Sequence, residues 1–128
     1  MDVQELLTRY EAGERNFPGA DLNGADLYEA QLESIDLSEA NLENANLSMA
    51  NLSGSNLSCA NLTATNLSGA LLKGVNLSQA NLTKADLSWA NVSRANFTEA
   101  NLTDANMKMA ILIGTRFRKT TMPNGKKR

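Results

Sequence analysis

From Ala20 to Thr115 the sequence repeats a five-residue pattern without one insertion or deletion. Each unit reads Ala, then Asn or Asp, then Leu, followed by two variable residues. We call the Leu position the centre of the unit. It recurs at 19 sites from Leu22 to Leu112, 16 of them are Leu, and 15 of the residues two positions earlier are Ala. This regularity constrains the fold more than any other feature of the chain.

A period of five fits neither an ordinary helix nor a flat strand. On an α-helix five residues advance about 500°, so successive centres would spread around the whole surface. On a flat strand they would alternate between opposite faces. If each unit is a short extended piece followed by a turn, the centre and the Ala before it both point inward. Asn, Asp, Ser, Thr and Gly at the outward positions favour such turns.

Departures from the pattern predict how many units complete one coil. Five units have a residue other than Ala at the inward position before the centre. Four of these residues are separated by multiples of twenty positions, Ile35, Ser55, Val75 and Thr115, and only Thr65 falls outside that spacing. All three Phe share a second phase of twenty, at Phe17, Phe97 and Phe117. Twenty residues, or four units per coil, would stack these residues in columns.

The A-(D/N)-L-x-x pattern resembles the motif of the pentapeptide repeat family, and it covers about 100 of the 128 residues. The resemblance implies an all-β solenoid: a right-handed quadrilateral β-helix with four pentapeptides per coil and about five coils. At a strand spacing of about 4.8 Å the coils would form a rod about 25 Å tall. The family is abundant in cyanobacteria, and residues 6–17 resemble leaders common there, which implies a source and not a role.

The N-terminal residues predict a short α-helical cap over residues 1–14. Asp2 suits the N-cap, Glu5 follows at capping-box spacing, and Gly13 suits the C-terminal exit. An apolar stripe would pack on the first coil; its residues are Val3, Leu6, Leu7 and Tyr10. The β-helix is then predicted to occupy residues 15–118.

The C-terminal end differs in character. Residues 119–128 show no repeat and contain a Pro-Asn-Gly break, so we predict a basic, flexible tail. No second capping helix is visible. Phe117 could plug the last coil; if it leaves that end open, we expect homo-association through the end.

Charge is divided between the two ends of the chain. Residues 1–45 hold 11 of the 14 acidic residues and only two basic ones, a net charge of −9, whereas residues 116–128 hold six basic residues and no acid. This division suggests electrostatic steering of contacts at the ends, including head-to-tail association, although drift of charge on a surface already solubilised by Asn, Ser and Thr would also produce it. The basic tail is a candidate for weak nucleic-acid binding, with an acidic remainder that would repel phosphates; its residues are Arg116, Arg118, Lys119, Lys126, Lys127 and Arg128.

Stacking by twenty also predicts an apolar stripe on the outside. Met49, Trp89 and Met109 fall in one outward column, and Leu71, Ile111 and Ile113 fall on the adjoining face. Trp and Met are enriched at protein interfaces, while single exposed apolar residues are ordinary. We interpret these six residues as a candidate interaction surface for another protein of unknown identity.

Composition removes most catalytic classes. The chain has no His and one Cys, Cys59, so His-based nucleophilic triads and Cys/His zinc sites are excluded. No phosphate-binding or dinucleotide-binding glycine motif occurs. We therefore predict a non-catalytic scaffold or protein-protein interaction module with no cofactor and no metal. No apolar run is long enough to span a membrane and no secretory signal is present, so we expect a cytoplasmic protein.

The family resemblance also implies an alternative function. Some members protect DNA gyrase by resembling duplex DNA in shape and charge. Because DNA carries one charge per about 1.7 Å, a 25 Å rod would need on the order of 15 negative charges. Residues 20–115 hold ten acids and four bases, a net charge of −6. A DNA-mimic regulator of an enzyme such as gyrase is therefore kept as the alternative.

Overall fold

The computed structural model describes all residues 1–128. Helix α1, Val3–Glu11, is followed by a stack of coils in which every unit contributes one short β-bridge. All bridges but one are parallel and join residues twenty positions apart, from Asn16 with Asp36 to Asn101 with Thr121; the exception is the antiparallel bridge between Thr121 and Lys127. Since bridging residues recur every five positions, one coil contains the predicted four units. The bridges between Asn16 and Thr121 define 22 units, one more than the Phe117 limit of the sequence pattern.

Three backbone hydrogen bonds per unit hold neighbouring coils together. The N–H of each centre from Phe17 to Leu102 donates to a carbonyl in the next coil, as Leu42 does to Asn61 at 2.8 Å. The N–H of Asn61 donates back to the carbonyl of Ala40 at 2.9 Å. A third bond runs to the next coil from the second residue after the centre. The ladders on all four faces therefore stabilise the stack in the same way.

The corners explain the polar part of the repeat. In each turn from Phe17 to Leu112 the N–H three residues after the centre donates to the carbonyl of the centre. The second residue after the centre has a positive φ at every position from Gly19 to Lys119. The Asn or Asp before the centre anchors the turn. Asn61 Oδ1 accepts the N–H of Thr63 at 3.1 Å and its hydroxyl at 2.6 Å. Asn-Leu-Ser and Asn-Leu-Thr are thus turn motifs of this fold.

The interior contains the centres and the small residues before them. Every centre from Phe17 to Leu102 is at most 3% exposed. Where a hydroxyl residue replaces Ala, it donates to a backbone carbonyl of the previous coil: Thr65 Oγ1 donates to Leu42 at 2.7 Å. No buried side-chain nitrogen or oxygen lacks a hydrogen-bond partner. The core therefore accepts these hydroxyls without a desolvation penalty.

Helix α1 covers the N-terminal end. The Asp2 side chain accepts the N–H of Glu5 at 2.7 Å, and Gly13 leaves the helix with φ +100°. Leu6 is fully buried, and the Tyr10 hydroxyl donates to the carbonyl of Glu33 at 2.7 Å. The helix is neither long nor apolar enough to cross a membrane.

The structure differs from the predicted flexible tail at residues 119–128. Thr120, Thr121 and Met122 take the inward, bridging and centre positions of one more unit, although none matches the motif residue. Thr120 is fully buried and its hydroxyl donates to the carbonyl of Phe97 at 2.6 Å.

The remaining residues of the tail turn back. An antiparallel bridge joins Thr121 to Lys127, the N–H of Met122 donates to Lys126 at 2.7 Å, and Gly125 has φ +83°. The Pro-Asn-Gly segment that ended the repeat in the sequence is thus the turn of a small hairpin. We call residues 120–128 the fold-back segment.

Candidate interaction surface

Three of the predicted surface residues lie in one corner column. The N–H groups of Met49 and Trp89 donate to Ser68 and Lys108 of the following coil, and Gly69 between them donates to Ser88. The three apolar side chains of the column are 53%, 65% and 58% exposed at Met49, Trp89 and Met109. Met49 lies over Gly69, where a Cβ atom would overlap with its Sδ. Backbone ladders therefore fix the spacing of these side chains.

The other three predicted residues lie on the face that follows this corner. Leu71 and Ile111 belong to one ladder, each paired with Asn91 between them. Leu71, Ile111 and Ile113 are 42%, 43% and 73% exposed. All six predicted residues are thus exposed, and the coil register places them on one corner and its adjoining face. We call them the lateral apolar surface.

A shallow groove of about 500 Å³ runs along this face. Its lining residues are Lys73, Gly74, Asn91, Ser93, Arg94, Ile111 and Ile113. Two cations therefore flank two exposed Ile side chains. Lys73 and Arg94 were not predicted from the sequence, although stacking by twenty places them in the columns of Ser93 and Gly114. Applying the column rule to charged residues would have identified them.

The six residues predicted as a basic tail are all exposed, and the fold-back segment brings most of them together. We call these residues, Arg116, Arg118, Lys119, Lys126, Lys127 and Arg128, the basic cluster. One groove of about 570 Å³ is lined by Glu99, Lys119, Lys127 and Arg128. A second, of about 410 Å³, is lined by Arg116, Arg118 and Lys119 with Glu99, Ser78, Asn96 and Thr98. Lys126 lines neither groove.

Phe117 closes only part of the last coil, which it was predicted to plug. Its ring stacks on Phe97 of the previous coil with centroids 5.3 Å apart, and the Arg128 guanidinium lies 4.7 Å from the centroid of the Phe117 ring. Phe117 is half-buried, whereas Leu112 on another face is 42% exposed. The fold-back segment therefore covers one part of the last coil and leaves the part near Leu112 open.

A model of the family of pentapeptide repeats matches the chain in eight copies, over residues 14–44, 35–74, 60–98 and 80–118. These matches cover most of the chain, and the repeat and coil register agree with them. The chain therefore belongs to the pentapeptide repeat family. A search of curated proteins gives no match.

Solved structures of the same family resemble this fold. Rfr23, a pentapeptide repeat protein from the cyanobacterium Cyanothece 51142, is 30% identical with a TM-score of 0.72, covering 94% of this chain and 96% of its own. A pentapeptide repeat protein from the Arabidopsis thaliana thylakoid lumen is 26% identical with a TM-score of 0.59, covering 89% and 69%.

A trypsin-treated form of QnrB1, a plasmid-mediated fluoroquinolone resistance protein, is 20% identical with a TM-score of 0.53. The alignment covers 84% of this chain and 59% of that of QnrB1. At this identity the likeness concerns the fold alone.

Proposed function

We propose that this protein is a non-catalytic interaction module. In this proposal a right-handed quadrilateral β-helix, capped by α1, binds another protein through the lateral apolar surface. The observation that carries it is the grouping of exposed apolar residues: nine large apolar side chains are exposed in the whole chain, and six belong to this surface. Scattered exposed apolar residues are ordinary, but residues concentrated on one patch are typical of an interface.

Rigidity favours this surface as a binding site. The backbone beneath it is held by the ladders between coils, so a partner would not have to order the backbone on binding. Trp89 offers a large ring at the middle of the corner column, the kind of side chain that contributes most to binding free energy. Lys73 and Arg94 beside the groove would favour acidic residues at the rim of the partner.

The test is an affinity capture from lysate of the native cell with tagged wild-type protein and a Trp89→Ser/Met109→Ser variant. We expect the variant to lose the captured partner, because two large apolar contacts are removed. Tyr28→Ser is the matched control, since Tyr28 is also 53% exposed but lies in the first coil. Unchanged circular dichroism would show that all three proteins are folded. Capture of the same partner at the wild-type level by the double variant would contradict the proposal.

The basic cluster supports a second candidate, weak binding of nucleic acid. The supporting observation is that five cations line two adjoining grooves on one end. Replacing Lys126, Lys127 and Arg128 with Gln should then weaken binding to duplex DNA of arbitrary sequence and make it less sensitive to salt. Equal binding by the wild type and this variant would remove the candidate.

The DNA-mimic alternative rests on the family resemblance. Duplex DNA carries negative charge along its whole length, whereas this protein has its acidic residues in the first coils and basic residues at the other end. This distribution disfavours the DNA-mimic alternative. A gyrase supercoiling assay without inhibition or protection would retire it. The cytoplasmic location and the lack of catalytic activity stay predictions.

A further inference from the structure

The last coil has an edge that no part of the chain covers. In earlier coils on the same face, the N–H of Leu52 donates to the carbonyl of Leu71 and the N–H of Gly54 donates to that of Lys73. The corresponding N–H groups in the last coil, on Leu112 and Gly114, have no acceptor, and the carbonyl of Ala110 has no donor. We call residues 105–114 the open edge. Such an edge is a template for one more extended segment.

Apolar side chains accompany these backbone groups. Leu112 occupies a centre position, yet it is 42% exposed, whereas the centres below it are buried. Ile111 and Ile113 on either side of it are 43% and 73% exposed, and Met107 on the neighbouring face is half-buried. A segment that pairs with the backbone here would also cover Leu112. The partner must therefore offer apolar side chains in an extended conformation.

Charge distinguishes between occupants of the open edge. Residues 105–128 contain seven basic residues and no acid. A second copy joined through the same end would bring two such groups of cations together, which is unfavourable. A second copy that approached with its acidic N-terminal end would match the charge, but helix α1 covers that end and offers no extended backbone to pair with the edge. A nucleic acid would satisfy the cations but would leave Leu112 and its neighbours exposed. An acidic polypeptide matches the charge, the apolar residues and the backbone groups.

We propose that the open edge binds an acidic polypeptide segment as one further β-bridged unit on the face of Leu112. The inference rests on the proposed function as an interaction module, but it concerns the end of the stack. The open edge adjoins the lateral apolar surface and shares Met109, Ile111 and Ile113 with it. The register follows from the coils below. The first residue of the segment donates its N–H to Ala110 and accepts from Leu112, and the carbonyl of the third accepts from Gly114.

This register specifies the side chains of the segment. The side chain of its middle residue would point inward over Leu112 and is expected to be Leu, Met or Phe. The first and third side chains would lie beside Ile111 and Ile113. Acidic residues before and after these three would meet the cations near the edge, among them Lys108, which lies within it, and Arg116, which follows it in the sequence.

The test uses full-length protein and a fluorescein-labelled synthetic peptide with the sequence Glu-Asp-Val-Leu-Val-Asp-Glu, measured by fluorescence anisotropy. Binding should be saturable and weaken as salt is raised. Leu112→Asp should weaken it by at least about tenfold, because it places a carboxylate where the middle Leu must pack. Tyr28→Asp, in the first coil, is the matched control and should bind as the wild type does.

Two altered peptides test the mechanism on unaltered protein. Methylation of the backbone nitrogen of the first Val removes the donor to Ala110 and should weaken binding by about tenfold or more. Replacement of all four acidic residues with Lys should abolish binding. Unchanged affinity in either case, or in the Leu112→Asp variant, would overturn the inference.

Two further outcomes would also overturn it. One is binding of a 20-base-pair duplex DNA with no binding of the acidic peptide. The other is a dimer of the free protein in sedimentation velocity that Leu112→Asp dissociates, because the occupant would then be a second copy. Failure of the peptide alongside a partner lost in the Trp89→Ser/Met109→Ser variant would refute this inference and leave the proposed function standing.

Discussion

In the first coil all four centres are at most 3% exposed, whereas Leu112 in the last complete coil is 42% exposed. The same ladder of hydrogen bonds builds both coils, so the difference comes from what covers them. At the N-terminal end an amphipathic helix packs an apolar stripe against the first coil, with Leu6 fully buried and Val3, Leu7 and Tyr10 partly buried. At the C-terminal end the fold-back segment adds one unit and a short hairpin, which covers part of the coil only.

One detail is common to both ends. Phe17 and Phe117 lie in the same column, five coils apart, and each ring has an arginine over it: Arg9 at 4.9 Å from the centroid and Arg128 at 4.7 Å. A guanidinium can cover an aromatic face while remaining hydrated. A single arginine side chain is therefore enough to cover the exposed Phe ring at either end of the stack. Covering the centres on all four faces requires a larger element such as α1.

The largest expected difference between the ends concerns their apolar residues. Leu6→Ala should lower the free energy of unfolding by about 2–5 kcal/mol, because Leu6 is fully buried between α1 and the first coil. Leu112→Ala should lower it by less than about 1 kcal/mol, because that side chain is already partly hydrated. Urea denaturation of both variants measures the difference. Equal losses would mean that the open edge is covered in solution.

A smaller difference is expected at the turns. Gly24 and Gly114 have φ of +67° and +69°, and an added Cβ would meet nothing closer than an ordinary contact at either. Gly24→Ala should cost about 1–2 kcal/mol, the strain of the left-handed conformation in an L-residue. Gly114→Ala should lower the free energy of unfolding by less. The N–H of Gly24 donates to the carbonyl of Glu43 at 2.8 Å, whereas the N–H of Gly114 has no acceptor, so the turn at Gly114 can relax. Thermal unfolding of the pair checks this; a larger loss for Gly114→Ala would contradict it.

The smallest effect is a dependence on pH at the N-terminal end. The hydrogen bond from Arg9 holds the pKa of the Glu14 carboxyl below its ordinary value of 4.5. The stabilisation is therefore present above that value and is lost as pH falls through the lowered pKa. The wild type should lose slightly more stability on acidification than Glu14→Gln does. Both ion pairs of the chain involve Arg9. The contact between Arg128 and Phe117 at the C-terminal end should therefore not contribute to this pH dependence.

Much of the fold could be predicted because the same residue pattern recurs in every unit of the repeat. Each unit carries the small inward residue, the Asx side chain that anchors the turn and the apolar centre, so an error at one unit is corrected by its neighbours. The helix was also predictable, since Asp2, Glu5 and Gly13 are local signals. The six residues of the lateral apolar surface followed from column stacking alone, and each of them is exposed.

The fold-back segment could not be predicted in this way. Thr120 and Met122 match neither the Ala nor the Leu of the motif, and only the position of Thr120 over the carbonyl of Phe97 makes its hydroxyl a suitable buried group. The partial opening near Leu112 likewise depends on where the chain turns after Met122. Lys73 and Arg94 could have been predicted, because stacking by twenty places Lys73 in the column of Ile113 and Arg94 in the adjoining column.

The sequence by itself determined the coil, its register, the cap at the N-terminal end and which side chains point outward. These depend on interactions within a unit and between units twenty residues apart, and both are repeated along the chain. Only the tertiary structure decided how the C-terminal end is finished and how the basic residues named from the sequence are arranged there. That outcome depends on a single, unrepeated set of contacts among Thr120, Phe117 and Arg128, for which the repeat supplies no pattern.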